Sequence, residues 1–162
     1  MRESIGTTWT FGLVISFIFI FTCFLTLSIS YSKAYKMKNE TISILEKYQG
    51  YTDESKIIID DYLTFNGYKG TGACPVDKGW YGASDINKNG YVTEVAESGK
   101  KYYYCIRQDD LKDTVKYEIK LFYHFDLPII GNIRNFDITG NTLEIKKDSN
   151  YLKLESWTGE VK

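Results

Sequence analysis

From Phe11 to Ser30 the chain carries no charged residue, and thirteen of the twenty positions are Leu, Ile, Val or Phe. As a helix, about 20 residues rise about 30 Å, the hydrocarbon thickness of a bilayer. Those thirteen side chains favour insertion by about 4–8 kcal/mol before the Ser, Thr and Gly costs are subtracted. Trp9 precedes the run and Tyr31 and Tyr35 follow it, where aromatic rings settle at headgroup level. The pattern predicts a retained membrane span. A cleaved signal would want a more basic start and a shorter apolar core.

One stripe of this helix differs from the rest. Steps of 3.6 residues from Gly12 pass through Ser16, Phe19, Cys23, Thr26, Ser30, Ala34, Met37, Thr41, Ile44 and Tyr48. Within the span the stripe is small or weakly polar at Gly12, Ser16, Cys23, Thr26 and Ser30, residues that let helices approach closely in lipid. Beyond it, Met37, Ile44 and Tyr48 form an apolar continuation suited to resting on a globular core. We therefore expect one helix of roughly 55 Å from Gly12 to Tyr48. Gly50 is its expected terminator.

Downstream, Thr52 or Asp53 is placed to cap a second helix to about Asn66, with Ile57, Ile58, Tyr62 and Phe65 expected on its buried face. Asp60 and Asp61 diverge as neighbours on a helix and are read as solvated. The Gly-rich stretch from Lys69 to Lys100 reads as loop, with Trp80 and Tyr81 packing it onto the core. Lys101–Arg107 is rich in strand formers. From Lys116 to Asp126, Tyr117, Ile119, Leu121, Tyr123 and Phe125 alternate with Glu118, Lys120, Phe122, His124 and Asp126, a strand with one core face. Leu127-Pro128 breaks it, and Phe136–Ile145 reads as a further strand with a bulge at Gly140. The expected fold is α+β: an antiparallel sheet of three or more strands lying across the outer half of the long helix. Residues 1–10 would be a short tail, 11–31 the span, 32–145 the folded domain and 146–162 a polar tail in which Leu152, Leu154 and Trp157 are possible docking points.

Charge adds little. Twenty basic and 21 acidic residues are interspersed, so no nucleic-acid stripe forms and no nucleic-acid partner is expected. Cys74 and Cys105 can pair, closing a loop of about 30 residues worth roughly 3.5 kcal/mol on the chain-entropy argument; the alternative is two unrelated thiols. Pairing implies an oxidising compartment. Lys33, Lys36 and Lys38 after the span, against Arg2 before it, would by charge place the domain in the cytoplasm. The cysteines and the short N-terminal tail point the other way, and we take the domain to lie outside.

Candidate chemistry is sparse. Asp85, Asn87 and Asn89, followed by Gly90, imitate the first half of a calcium loop, but the twelfth position is Ala96, with Glu97 one place late. The preferred reading is an Asn89-Gly90 turn between short strands. His124, the single histidine, falls on the outward strand face with no nucleophile or metal partner signalled by spacing. No cofactor motif and no catalytic constellation is present, so no cofactor and no enzymatic activity is expected.

The order of elements resembles the pilin-type lollipop, and more narrowly the TadE-like minor pilins or pseudopilins of Tad-type pilus systems. The residues carrying the resemblance are the N-terminal span, the strand Tyr117 to Phe125, Leu127-Pro128, and the final strand Phe136 to Ile145. It implies a non-enzymatic subunit whose partners are membrane lipid and other single-span pilin-like proteins or assembly components. The chain departs from the pilin-precursor pattern in one respect. A leader ending at Gly6 would put Phe11, not Glu, at the fifth mature position, and the nearby acid is Glu3. A second class of function is a tethered binding or sensor domain that uses the 70–97 segment.

Overall fold

The structure, a computed structural model, describes residues 2–76, 79–87, 90–127, 131–147 and 154, with backbone alone for 2–8, 85–87, 90–92, 125–127 and 131–135. Helix α1 runs unbroken over Arg2–Lys47. From Ser4 to Ser32 it has neither Pro nor charge to interrupt it, and Thr22 and Thr26 return their hydroxyls to the carbonyls of Ile18 and Thr22. It ends in a Schellman turn: Gly50 N–H donates to Leu45 O and Gln49 N–H to Glu46 O. The left-handed residue is Gln49 (φ 56°), one place before the expected glycine. Gly50 is needed for a second reason, because a Cβ there would lie 2.8 Å from the Tyr117 hydroxyl.

Helix α2, Asp53–Phe65, starts on a capping box in which Thr52 and Ser55 bond each other's backbone N–H. It stops at Gly67 (φ 67°), with Tyr68 N–H donating to Leu63 O. Its buried face corrects the expectation in part: Ile58 and Tyr62 pack half-buried against the core as expected, but Ile57 and Phe65 do not. Ser55, Ile59, Asp60 and Leu63 point inward, while Ile57 is exposed and Phe65 is 92 % exposed. Three successive isoleucines fit either phase of the helix, and partners for Asp60 select the observed one.

The strands are β1 Trp80–Asn87, β2 Gly90–Val95, β3 Tyr104–Asp110, β4 Thr114–Leu127, β5 Gly131–Asn141 and β6 Ile145–Lys146. They form one antiparallel sheet in the order β2-β1-β3-β4-β5, with β6 continuing along β4 beyond β5. The α+β layout, an apolar N-terminal helix followed by a short helix and an antiparallel sheet, is therefore as the pattern implied. Two details differ. The stretch read as loop from Lys69 to Lys100 contains the β1–β2 hairpin, and the last strand is two pieces, both paired to β4. Gly140 is not a bulge. It is the point where β5 passes so close to α1 that a Cβ would lie 2.5 Å from Ile42 Cδ1. The register shift in this hairpin instead falls between His124 and Asp126.

One face of the sheet meets both helices. Met37, Ile44, Leu45, Ile59 and Leu63 pack against Tyr104, Ile106, Tyr117, Ile119 and Leu121. The opposite face carries a smaller cluster under the segment that precedes β1: Cys74, Trp80, Ala96, Tyr102, Cys105 and Phe122. Phe122 occupies an outward position of β4 yet is buried, because Gly70 and Gly72 let the chain lie directly on it. Leu154, in the polar C-terminal segment, is buried in the main core, with its N–H on Gln108 Oε1. Leu152 and Trp157 lie outside the described residues.

Candidate functional site

The stripe on α1 keeps one direction along its whole length. Ala34, Met37, Thr41 and Ile44 are buried and Tyr48 is half-buried beneath the sheet. Ser30, Thr26, Cys23 and Phe19, further toward the N-terminus on the same line, are half-buried, and Ser16 and Gly12 are exposed. Other faces of the span present Phe17, Ile20, Phe21, Phe24 and Ile29 outward. A helix with so much apolar surface outside any core is long and apolar enough to cross a membrane. Cys23 is a free thiol on the stripe.

An aromatic collar marks where the helix enters the domain. Tyr31 meets Tyr35 (ring centroids 4.8 Å apart) and Phe136 (6.4 Å), Phe136 meets Tyr123 (5.7 Å), and Tyr123 meets Tyr68 edge-on (5.5 Å). Tyr123 also donates its hydroxyl to Met37 Sδ at 2.8 Å. Burial pushes the Tyr123 phenol above its ordinary range.

A buried polar chain joins α2 to the edge strand β2. Lys56 Nζ lies 2.9 Å from Asp60 Oδ2, and Tyr104 donates to Asp60 Oδ1 at 3.0 Å. With its proton so committed, Tyr104 accepts from Tyr51 (3.0 Å), which in turn accepts from Thr93 (2.8 Å). Asp60 is 4 % exposed, a correction to its reading as a solvated acid; Asp61 beside it is exposed. Burial, foremost, raises the phenols of Tyr51 and Tyr104, and the charge of Asp60 pushes both the same way. The groups satisfy one another, as in a structural clamp. The Lys56/Asp60 spacing of four was its only trace in the sequence.

On the opposite face the Cys74–Cys105 disulfide ties the segment before β1 to β3, across 31 residues. Trp80 and Tyr81 are both buried, Trp80 with the Arg107 guanidinium 5.4 Å from its ring, so neither offers a free stacking surface. Several charges here are paired. Arg107 bridges Glu118 (2.7 Å) and Asp109 (3.0 Å), Lys120 pairs with Asp137 (2.8 Å), and Lys100 pairs with Glu94.

Of the calcium candidates, Asp85 and Asn87 belong to strand β1, whose backbone pairs through Asn87↔Gly90, and Asn89 lies outside the described residues. Among the described residues no group of three His, Cys, Asp or Glu is placed to hold a metal ion. His124 is exposed on β4, opposite Asn135. No protein-family model, curated protein or solved structure matches this chain.

Proposed function

We propose that this chain is a membrane-anchored, pilin-like structural subunit of a pilus or secretion-type assembly, non-enzymatic, with its folded domain outside the cytoplasm. The observation that carries the reading is α1. One unbroken helix of 46 residues is buried under a sheet at one end and bare and apolar at the other, with a small-residue stripe running from one part into the other. A tether needs only hydrophobicity. A stripe of Gly12, Ser16, Cys23 and Thr26 in register with the core face suits a second helix laid along the first. The disulfide favours an oxidising, extracytoplasmic compartment. The order of span, helix and late antiparallel sheet is similar to that of the TadE-like minor pilins.

The test uses Cys23 in the intact chain. Cross-linking through this thiol in whole cells, followed by mass spectrometry, is expected to capture a second copy or other short proteins with N-terminal spans. Capture of lipid alone would reduce the span to a tether and defeat the assembly reading.

A further inference from the structure

We infer that the solvent face shared by α1 and α2 is a docking surface for a second copy of this chain. The two copies stand side by side about a two-fold axis normal to the membrane, with α2 of each against α1 of the other. The inference rests on the reading of α1 as a membrane span, which holds both copies in one orientation.

The two helices lie antiparallel on the same face of the sheet. Residues 48–52 reverse the chain between them. At the other end Met37 of α1 and Tyr68, just past α2, both meet Tyr123. In between, burial raises the Tyr62 phenol and the charge of Glu40 pushes the same way, which sets Tyr62 of α2 beside Glu40 of α1. Both helices rise about 1.5 Å per residue. Phe65 therefore stands abreast of Met37, Asp61 of Thr41, Ile57 of Leu45 and Glu54 of Tyr48.

The outer line of α2 is Glu54, Ile57, Asp61 and Phe65, all exposed, Phe65 at 92 %. A lone exposed apolar side chain is ordinary. Here two share a line with two carboxylates, Asp53 adds a third acid beside them, and Lys56 is spent on Asp60. The outer line of α1 within the domain is Lys36, Asn39, Ser43 and Lys47, also exposed, with Lys33 one turn before it. This line carries no acid, because Glu40 lies on the flank beside Tyr62. Among the described residues none of Lys33, Lys36, Lys47, Asp53, Glu54 and Asp61 takes part in an ion pair. The domain thus presents an acidic helix and a basic helix side by side.

A two-fold rotation about an axis parallel to these helices sets each α2 before the other copy's α1 at unchanged height. The two lines then interleave. Glu54 meets Lys47 of the second copy, and Ile57 falls between its Ser43 and Lys47. Asp61 falls between Asn39 and Ser43, both hydrogen-bond donors. Phe65 falls between Lys36 and Asn39, where the aliphatic stem of the lysine covers the ring. The short side chains of Asn39 and Ser43 allow the approach of about 8–10 Å at which helices pack. Setting α2 on α2 instead would bring three acids against three acids. The small-residue stripe lies on the core side of α1 and stays open to a different helix. Each subunit then has two contact faces.

The test uses the full chain in native membranes, with Cys23→Ser as background. Differently tagged copies carrying Glu54→Cys and Lys47→Cys are coexpressed and treated with a short bis-maleimide. Phe65→Cys is combined with Lys36→Cys in the same way. Mixed dimers are expected at both heights, at severalfold the yield of either same-site dimer, and Leu143→Cys on the β5 flank of α1 should give none. Glu54→Lys should lower the Phe65–Lys36 yield severalfold, and adding Lys47→Glu should restore it. Same-site dimers in equal or greater yield mean another arrangement and overturn the inference, as does cross-linking only to a different protein. No cross-link at either pair, while the native Cys23 still captures single-span partners, overturns the docking face and leaves the assembly reading standing. Mixed dimers together with capture of lipid alone by Cys23 uphold the docking face and defeat the assembly reading. Release of the protein by alkaline carbonate removes the span and overturns this inference with it.

Discussion

Asp60 decides how α2 sits. Its carboxylate is the terminus of a chain that begins at Thr93 and passes through the two phenols. Removing the carboxylate leaves Tyr104 without its acceptor and Lys56 without its counter-ion. Asp60→Ala is therefore expected to destabilise the fold by about 1–3 kcal/mol, measured as a shift of the urea midpoint. Asp60→Asn, which keeps an acceptor for Tyr104, should lose less. Equal losses in the two variants would show that the hydrogen-bond chain is not what Asp60 supplies. The phenols make a second prediction. Burial raises Tyr51 and Tyr104 above the ordinary value of 10.0, so the folded state holds their protons more tightly than the unfolded chain does. Their stabilisation is complete below pH 10 and is lost as pH rises through the folded values. Stability should be insensitive to these groups up to about pH 9 and fall beyond 10. Tyrosinate absorbance should show a subset of the 14 tyrosines ionising late. A single transition near 10 for all of them, with no loss of stability, would contradict this. Residue chemistry of this kind was barely legible in the sequence, because two adjacent aspartates look alike until one of them finds a tyrosine 44 positions away.

At the scale of elements, what was readable followed local rules. Thr52 caps α2 and Gly67 ends it, and the alternation from Tyr117 to Tyr123 places β4 with its core face as drawn. The phase of α2 was not readable, since Ile57, Ile58 and Ile59 offer the core three consecutive choices. The observed phase yields a direct comparison. Ile59→Ala, at a fully buried site, should cost about 2–5 kcal/mol by thermal or urea unfolding. Ile57→Ala, at an exposed one, should stay within about 0.5 kcal/mol. Similar losses at both positions would mean that the helix is rotated from the arrangement described. The β1–β2 hairpin was read only as a turn between short strands, and the length of those strands was hidden for a different reason. Strand β1 carries Gly82, Ser84, Asp85 and Asn87, poor strand formers, and pairing with β3 overrides that preference. Gly82 is used for packing rather than turning: the Tyr102 ring lies where its Cβ would be, 2.3 Å away.

For the whole molecule, the proposed assembly role and a plain tether make opposite demands on α1. Scrambling Gly12 to Thr26 at constant hydrophobicity should leave membrane insertion unchanged and abolish Cys23-independent co-purification with the partner proteins. Retention of partners after scrambling would leave the domain as the working part. The sequence by itself determined the features governed by short-range physics. An uncharged apolar run must be removed from water, and a 3.6-residue stripe must share one helix face. A strict alternation must divide core from solvent, and the glycine that ends α2 must admit left-handed backbone. It also brought Cys74 and Cys105 forward as a candidate pair, without deciding that they join. Tertiary structure alone decided that pairing, the phase of α2, the strand order β2-β1-β3-β4-β5 and the burial of Asp60. It alone also decided how far β4 and β5 extend along α1. Each depends on contacts between residues tens of positions apart. For such contacts the deciding energy is that of mutual burial and completed hydrogen bonds, which no local window of the chain contains.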